Sequence, residues 1–260
     1  MKLTVLGCFG GDLKGRLPAF LIEDRYLLDA GTIGSALTVE AQQNIRIIAL
    51  THSHVDHLIG IPFFLDAVYS RTEFPVIIMG TEPVLENLHT HLINDVIWPD
   101  FTALPTRENP IVMLQHVALD VEIPFGESLF ITPIATCHTA NSCGYIVRNE
   151  RSCLVYTGDI GPCPEFWSGV DRYLGIHPGI DPVAILVECS FPNRLGDFAR
   201  ATGHLTADML RNELGNGRYR SARILIFHMK PQYMTEIEEE LARIPECRIE
   251  LMQPDQEYHF

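Results

Sequence analysis

The sequence predicts an α/β protein made of layered sheets flanked by helices. Three observations carry that class: strand-like runs recur along the whole chain, helical patterns are fewer and spaced between them, and no repeat, low-complexity tract or Gly/Ser linker breaks the pattern. One domain over 1–260 is expected, because 260 residues that are 47% hydrophobic and 20% charged can bury one large core.

The elements follow in order. The start, MKLTVLGCFGG, contains the partial lipobox look-alike Val5-Leu6-Gly7-Cys8, but its apolar stretch is too short for a secretory h-region. Lys2 to Leu6 therefore reads as a first strand running into a glycine turn. Further apolar runs of strand length are Ala19 to Ile22, Tyr26 to Asp29, Ile45 to Leu50, Val76 to Met79 and Ile111 to Gln115. A second series comprises Leu129 to Ala135, Gly144 to Val147, Leu154 to Thr157, Ala184 to Glu188, Ile224 to Phe227 and Arg248 to Met252. Arg148-Asn149-Glu150-Arg151 reads as a hairpin turn. Helical spacing appears in Ile61 to Tyr69, Glu82 to Leu92, Pro164 to Leu174, Thr206 to Leu214 and Gln232 to Arg243.

Composition narrows the function classes. A formal net charge of −14 repels polyanions, which argues against an extended nucleic-acid partner and for a small ligand. A bound metal can still reverse the sign locally. Apolar runs such as Ile61 to Val68 fall well short of the ~20 residues that span a bilayer, so no membrane partner is expected. The seven cysteines, at 8, 137, 143, 153, 163, 189 and 247, contain no CxxC pair, and that usage fits a reducing cytoplasm.

The stretch THSHVDH, Thr51 to His57, packs His52, His54, Asp56 and His57 behind an apolar strand. Three imidazoles and a carboxylate there would be unfavourable if desolvated without partners, and a divalent ion supplies the partner. Histidine with aspartate suits zinc, with manganese or iron as close competitors. Alternation puts His52 and His54 on one side, and the next turn can aim Asp56 and His57 at a second ion. Two ions need more ligands than this stretch holds. Three later strand ends offer them: Cys137-His138, Gly158-Asp159 and His228.

HSHVDH followed by His138, the TGD ending in Asp159, and His228 resembles the motif pattern of the metallo-β-lactamase superfamily, with Asp29 in LLDAG as its first motif. The resemblance runs from about Leu3 to Lys230. It implies an αββα sandwich, two mixed sheets flanked by helices, with a dinuclear site at the sheet edges. It further implies that His52, His54 and His138 bind one metal, that Asp56, His57 and His228 bind the other, and that Asp159 bridges. Asp29 would hold the ligand loop.

Within that superfamily, VECSFPNRLGDFARATGHLTADML contains Glu188 after a strand and His204 in GHLT. These resemble the glutamate and GHxT histidine of the class II cyclic-nucleotide phosphodiesterases and of the tRNA 3′-processing endonucleases, tRNase Z. SFPNR and the closing FHMKP are more similar to the cyclic-nucleotide branch, while Pro62 and Asp66 depart from its signature. The expectation is hydrolysis of 3′,5′-cyclic nucleotides, cyclic AMP or cyclic GMP, to 5′-nucleotides. Two cations about 3.5–4 Å apart would activate a water and clamp the phosphodiester oxygens. His204 would be the general acid, with Glu188 orienting its ring. Its bland alternative is a residue beside the Leu205-Thr206 helix cap. The competing functions are a tRNase Z-like endonuclease, disfavoured by the acidic balance, and a non-catalytic regulatory metal binder, possible as a homodimer like the enzyme.

Smaller expectations concern the remaining polar and aromatic residues. Asn141 and Ser142 could touch phosphate or simply shape a turn, and Lys230 could neutralise a phosphate oxygen or stay solvated. Cys137 reads as a small core residue. His89, His91, His116, His177 and His259 read as surface or capping histidines, and Trp98 and Phe101 as core or lid packing.

Overall fold

The computed structural model describes all residues except 12, 13, 15, 71–73, 140, 216–218, 220 and 246. It divides into two compact units. The first comprises Met1–Cys8, Leu13–Val117 and Gln253–His259, and the second Phe9–Asp12, Ala118–Met252 and Phe260.

The first unit contains β1 (Lys2–Gly7), β2 (Ala19–Ile22), β3 (Tyr26–Leu28), α1 (Val39–Gln42), β4 (Ile47–Ala49), α2 (Val55–Leu58) and α3 (Gly60–Val68). It continues through β5 (Val76–Gly80), α4 (Glu82–His91), the small hairpin β6 (Pro105–Thr106) and β7 (Asn109–Pro110), and β8 (Val112–His116). The second unit holds β9 (Ile123–Pro124), β10 (Phe130–Ala135), β11 (Cys143–Arg148), β12 (Ser152–Tyr156), α5 (Pro164–Ile176) and β13 (Asp181–Glu188). Then come α6 (Gly196–Ala201), α7 (Ala207–Leu214), β14 (Arg223–Phe227), α8 (Met234–Leu241) and β15 (Arg248–Leu251), before the chain returns to the first unit as β16 (Glu257–His259).

The first unit's seven-stranded sheet has the order β16-β1-β2-β3-β4-β5-β8. Its β16 to β3 neighbours are antiparallel, and β3, β4, β5 and β8 run parallel. Leu27, Ile48 and Ile78 meet Ile61, Phe64 and Leu65 of α3 and Leu85 and Leu88 of α4 in one core. The apolar positions of α3 recur at helical spacing, which is why this run folds as a helix beside the sheet.

The second unit's sheet has the order β15-β14-β13-β12-β11-β10-β9, parallel from β12 to β15 and antiparallel from β9 to β12. Ile146, Val155, Ile185 and Ile224 pack with Phe166, Trp167 and Val170 of α5, Leu210 of α7 and Ile237 of α8. Asn149 accepts hydrogen bonds from the backbone N–H groups of Arg151 and Ser152, which closes the hairpin between β11 and β12. Because β10 is antiparallel to β11 and β11 to β12, β10 points the same way as β12, β13 and β14. Their C-terminal ends therefore share one edge, where open α/β sheets place their ligands.

The twelve strand runs read from the sequence all form strands, with ends shifted by a few residues at most. The short helices α1, α2 and α6 and the strands β6, β7, β9 and β16 fall outside that reading. Among the described residues, no helix is long and apolar enough to cross a membrane.

Candidate metal centre

In the first unit the ligand-type residues leave the C-terminal ends of β3 and β4. Asp29 follows β3 in a left-handed backbone conformation (φ 55°) that aspartate tolerates better than most residues. Fully buried, it accepts hydrogen bonds from the Thr51 N–H and hydroxyl, both at 2.8 Å, and from His57 Nδ1 at 2.7 Å. With its hydroxyl proton given to Asp29, Thr51 Oγ1 accepts from His52 Nδ1 at 2.9 Å. Both imidazoles thus carry the proton on Nδ1 and the lone pair on Nε2, the tautomer a metal-binding histidine needs. The His52 ring centroid lies 4.7 Å from that of His54 and 4.2 Å from that of His57. Asp56 lies in the first turn of α2, half-buried.

Gly31 is fixed by close approach. A Cβ there would lie 2.0 Å from the Asp56 carbonyl oxygen, so only glycine lets α2 dock on the DAG turn.

In the second unit, His138, Asp159, Glu188 and His228 lie at or just beyond the shared edge of β10, β12, β13 and β14. His138 donates from Nδ1 to the Gly203 carbonyl at 2.8 Å, and its Nε2 is 3.8 Å from Asp159 Oδ2. Burial pushes the His138 imidazole below its ordinary value, against the pull of Asp159, and so favours the neutral ring. His228 has a left-handed backbone (φ 61°), and its Nε2 lies 3.2 Å from the same Asp159 oxygen. Ser190 donates its hydroxyl proton to Glu188 Oε2 at 2.5 Å and accepts from His228 Nδ1 at 2.8 Å. Two Nε2 atoms therefore converge on one carboxylate oxygen, a donor set that can coordinate a divalent cation.

Glu188 is fully buried at the end of β13 and accepts from Ile160 N–H, Ser190 Oγ, Leu205 N–H and His204 Nδ1, the last at 2.7 Å. Burial alone would raise its carboxyl, but the neighbouring His204 imidazole outweighs it and the net direction is down. Burial alone would likewise depress His204. The Glu188 charge and hydrogen bond prevail, and the net direction for His204 is up. The His204 ring centroid is 4.8 Å from that of His138 and 5.4 Å from that of His228. The helix cap is made by Thr206, whose Oγ1 accepts from Met209 N–H, and His204 stands two residues before it with Nδ1 bonded to Glu188.

The first unit thus brings together His52, His54 and His57, with Asp29 bound to His57 and, through Thr51, to His52; the second gathers His138, Asp159, His228, Glu188 and His204. The donor set within each unit, imidazole nitrogen with carboxylate oxygen, fits zinc and its first-row neighbours.

Three residues escaped the sequence reading. Ser190 links three site side chains, Thr51 ties His52 to Asp29, and Gly10 packs where a Cβ would lie 2.2 Å from the His228 carbonyl oxygen. Ser190 and Thr51 lay inside the quoted motifs and carried no signal of their own.

Cys137 corrects an expectation. It is exposed rather than a core residue, and it is joined to Cys163 by a disulfide. The physical reason is its place just beyond β10, where the chain leaves the apolar layer and meets the N-terminus of α5. Ser142 shapes a turn, accepting from the Thr136 hydroxyl and donating to the Thr139 carbonyl, each at 2.9 Å. Phe101 is buried and Trp98 packs on the same core. His177 is the C-cap of α5, and His116 and His259 are exposed.

A model of the class II cAMP phosphodiesterases matches residues 35–236. The 3′,5′-cyclic-nucleotide phosphodiesterase 1 of Saccharomyces cerevisiae is 31% identical over 199 residues, covering 69% of this chain and 52% of that protein. A ribonuclease Z of Metallosphaera sedula is 28% identical over 160 residues, 58% of this chain and 49% of its own length. The chain spans about half the length of these curated relatives. Unliganded yeast PDE1 aligns with a TM-score of 0.82 at 18% identity, over 98% of each chain. YhfI of Bacillus subtilis, a metallo-β-lactamase fold protein, aligns at 0.74 with 18% identity over 99% of each chain. The fold, with its two mixed sheets flanked by helices, is that of the metallo-β-lactamases. With its family model spanning most of the sequence, the chain belongs to the class II cAMP phosphodiesterases.

Proposed function

We propose that the chain is a metal-dependent phosphodiesterase that opens 3′,5′-cyclic nucleotides, cyclic AMP or cyclic GMP, to 5′-nucleotides. The observation that carries this reading is the buried Glu188–His204 pair beside His138, Asp159 and His228, in a chain of this family. The resemblance assigns His52, His54 and His138 to one cation, Asp56, His57 and His228 to the other, and Asp159 to both. Two such cations, zinc on the donor set, would supply Lewis acidity there and would lower the pKa of a bound water.

The chain's own residues do the rest. Asp29 and Thr51 hold His57 and His52 as Nε2 ligands, and Ser190 does the same for His228. His204 donates the proton of Nε2–H to the departing sugar oxygen, while Glu188 holds Nδ1 and favours the imidazolium. A sugar alkoxide is a poor leaving group, so this proton matters most for the natural ester.

The ribonuclease Z relatives make precursor tRNA the competing substrate. A formal charge of −14 opposes it, because a long polyanion is held by many lysine and arginine contacts. The discriminating experiment incubates the protein, with zinc or manganese added, separately with cyclic AMP, cyclic GMP and a precursor tRNA. The expected product is AMP or GMP bearing a 5′-phosphate. Cleavage of the tRNA without turnover of either cyclic nucleotide would identify an endonuclease, and tight cyclic-nucleotide binding without turnover would identify a regulatory protein.

A further inference from the structure

We propose that the Cys137–Cys163 disulfide is a redox-sensitive brace on the second unit's metal ligands, and that its reduction by a thiol reductant weakens metal binding. The inference rests on the assignment of His138 and Asp159 as ligands.

Cys137 immediately precedes His138, and Cys163 follows Asp159 by four positions, so the bond joins the loops that carry both residues beyond β10 and β12. Those loops are packed closely. Gly161 N–H donates to the Cys137 carbonyl at 3.0 Å, and a Cβ on Gly161 would come within 3.1 Å of that oxygen and 3.2 Å of Gly203 Cα. Gly203 in turn accepts from His138 Nδ1. Three ties therefore set the His138 ring: the disulfide, Gly161 and Gly203.

The two sulfurs differ in surroundings. Cys163 is buried, its N–H donates to Glu213 Oε2 at 3.0 Å, and it precedes α5, which is anchored in the core by Phe166 and Trp167. Cys137 is exposed. A reductant thiolate can reach Cys137 Sγ, form a mixed disulfide there and expel Cys163 Sγ as a thiolate, which takes a proton. A second reductant thiol then attacks its own sulfur in the mixed disulfide and releases Cys137. Two electrons and two protons pass to the protein, and the two reductant thiols become a disulfide.

Glu165 suits the reduced state. Its Oε2 lies 3.8 Å from Cys137 Sγ and 4.0 Å from Cys163 Sγ, where it can accept a hydrogen bond from either S–H. Two thiols cannot remain at bonding distance and must part to a non-bonded contact of about 3.5–4 Å. With Cys163 held by α5, that displacement falls on Cys137 and on His138 beside it. Four of the five other cysteines, Cys8, Cys143, Cys153 and Cys189, are buried, and burial pushes the Cys8 and Cys153 thiols up to about 12; Cys247 is half-buried.

The test begins with protein purified without reductant, unfolded in an alkylating agent and weighed by mass spectrometry. Five modified cysteines are expected before reduction and seven after it. Zinc affinity is then measured by equilibrium dialysis and elemental analysis on oxidised protein and on reduced protein freed of reductant. The reduced protein should bind about 10- to 100-fold more weakly, the range for losing a group that orients a ligand. Cys163→Ser should bind weakly whatever the redox state, and the reduced wild type gives the same comparison without a substitution. Seven modified cysteines before reduction, or equal zinc affinity in the two states, would overturn the brace. If neither state binds zinc, the ligand assignment falls with it, whereas the cyclic-nucleotide reading stands or falls on the substrate panel.

Discussion

Glu188 Oε1 lies 2.7 Å from His204 Nδ1, and both side chains are buried. The carboxylate fixes the ring so that its Nε2 is the end left to carry a transferable proton, and it favours the charged form in a setting where burial alone would oppose it. Removing the imidazole should therefore separate chemistry from metal binding. His204→Ala is expected to lower turnover of cyclic AMP by about 10²- to 10⁴-fold, while bis-nitrophenyl phosphate, whose leaving group needs no proton, loses much less. Parallel kinetics on the two esters, with metal content measured by elemental analysis, check this. Equal losses would remove His204 from the acid role.

Ser190 is fully buried and hydrogen-bonds to Glu188 and to His228 Nδ1 at once. Ser190→Ala leaves a buried carboxylate oxygen one donor short and an imidazole N–H without its acceptor. A loss of about 1–3 kcal/mol in unfolding free energy is expected. Denaturant titration reads it, and zinc affinity should fall in the same variant because the His228 tautomer is no longer fixed.

Asp29 sets two histidines, His57 by its own oxygen and His52 through Thr51. Asp29→Asn keeps the volume and removes the charge that accepts these protons. A decrease of about 10- to 100-fold in metal affinity is expected, the range for a partner that orients a ligand. Isothermal titration with zinc would show it, and unchanged affinity would remove Asp29 from that role.

Away from the site, Glu122 accepts hydrogen bonds from Arg148 Nε at 2.7 Å and Nη2 at 2.5 Å and from the Tyr173 hydroxyl at 2.6 Å. Burial alone would raise its carboxyl, but Arg148 and Tyr173 hold it below the ordinary carboxylate value. A depressed folded-state value means the contribution is complete above the unfolded value and is lost as pH falls through the folded one. Glu122→Gln should thus be less stable than wild type by about 1 kcal/mol at neutral pH, as for a partly screened ion pair, with the gap closing as pH falls below the ordinary carboxylate range. Thermal melts across that range check the sign, and a gap that widens on acidification would contradict it.

How much of this was legible in the sequence follows from where the signal lies. The ligand-type residues stood out because each comes just after an apolar run, and an imidazole or carboxylate leaving a core strand needs a partner. The strand runs were legible as short, near-continuous apolar stretches, because β11, β12, β13 and β14 are buried along almost their whole length. α2 was not, because its four residues are too few to show a helical period. β16 was missed because only Tyr258 of its three residues is buried. Ser190 and Thr51 were passed over because a hydroxyl declares its role only through the partners the fold brings to it. The Cys137–Cys163 bond joins residues 26 apart whose neighbours carry no cysteine spacing motif, so it emerges only when β10 and β12 lie in one sheet.

The most direct measurement of the central claim is cyclic AMP hydrolysis by protein stripped with a chelator, its metal content verified by elemental analysis, and then reloaded with zinc or manganese. AMP formation should disappear on stripping and return as about two ions bind per chain. Undiminished AMP formation by verified metal-free protein would contradict it.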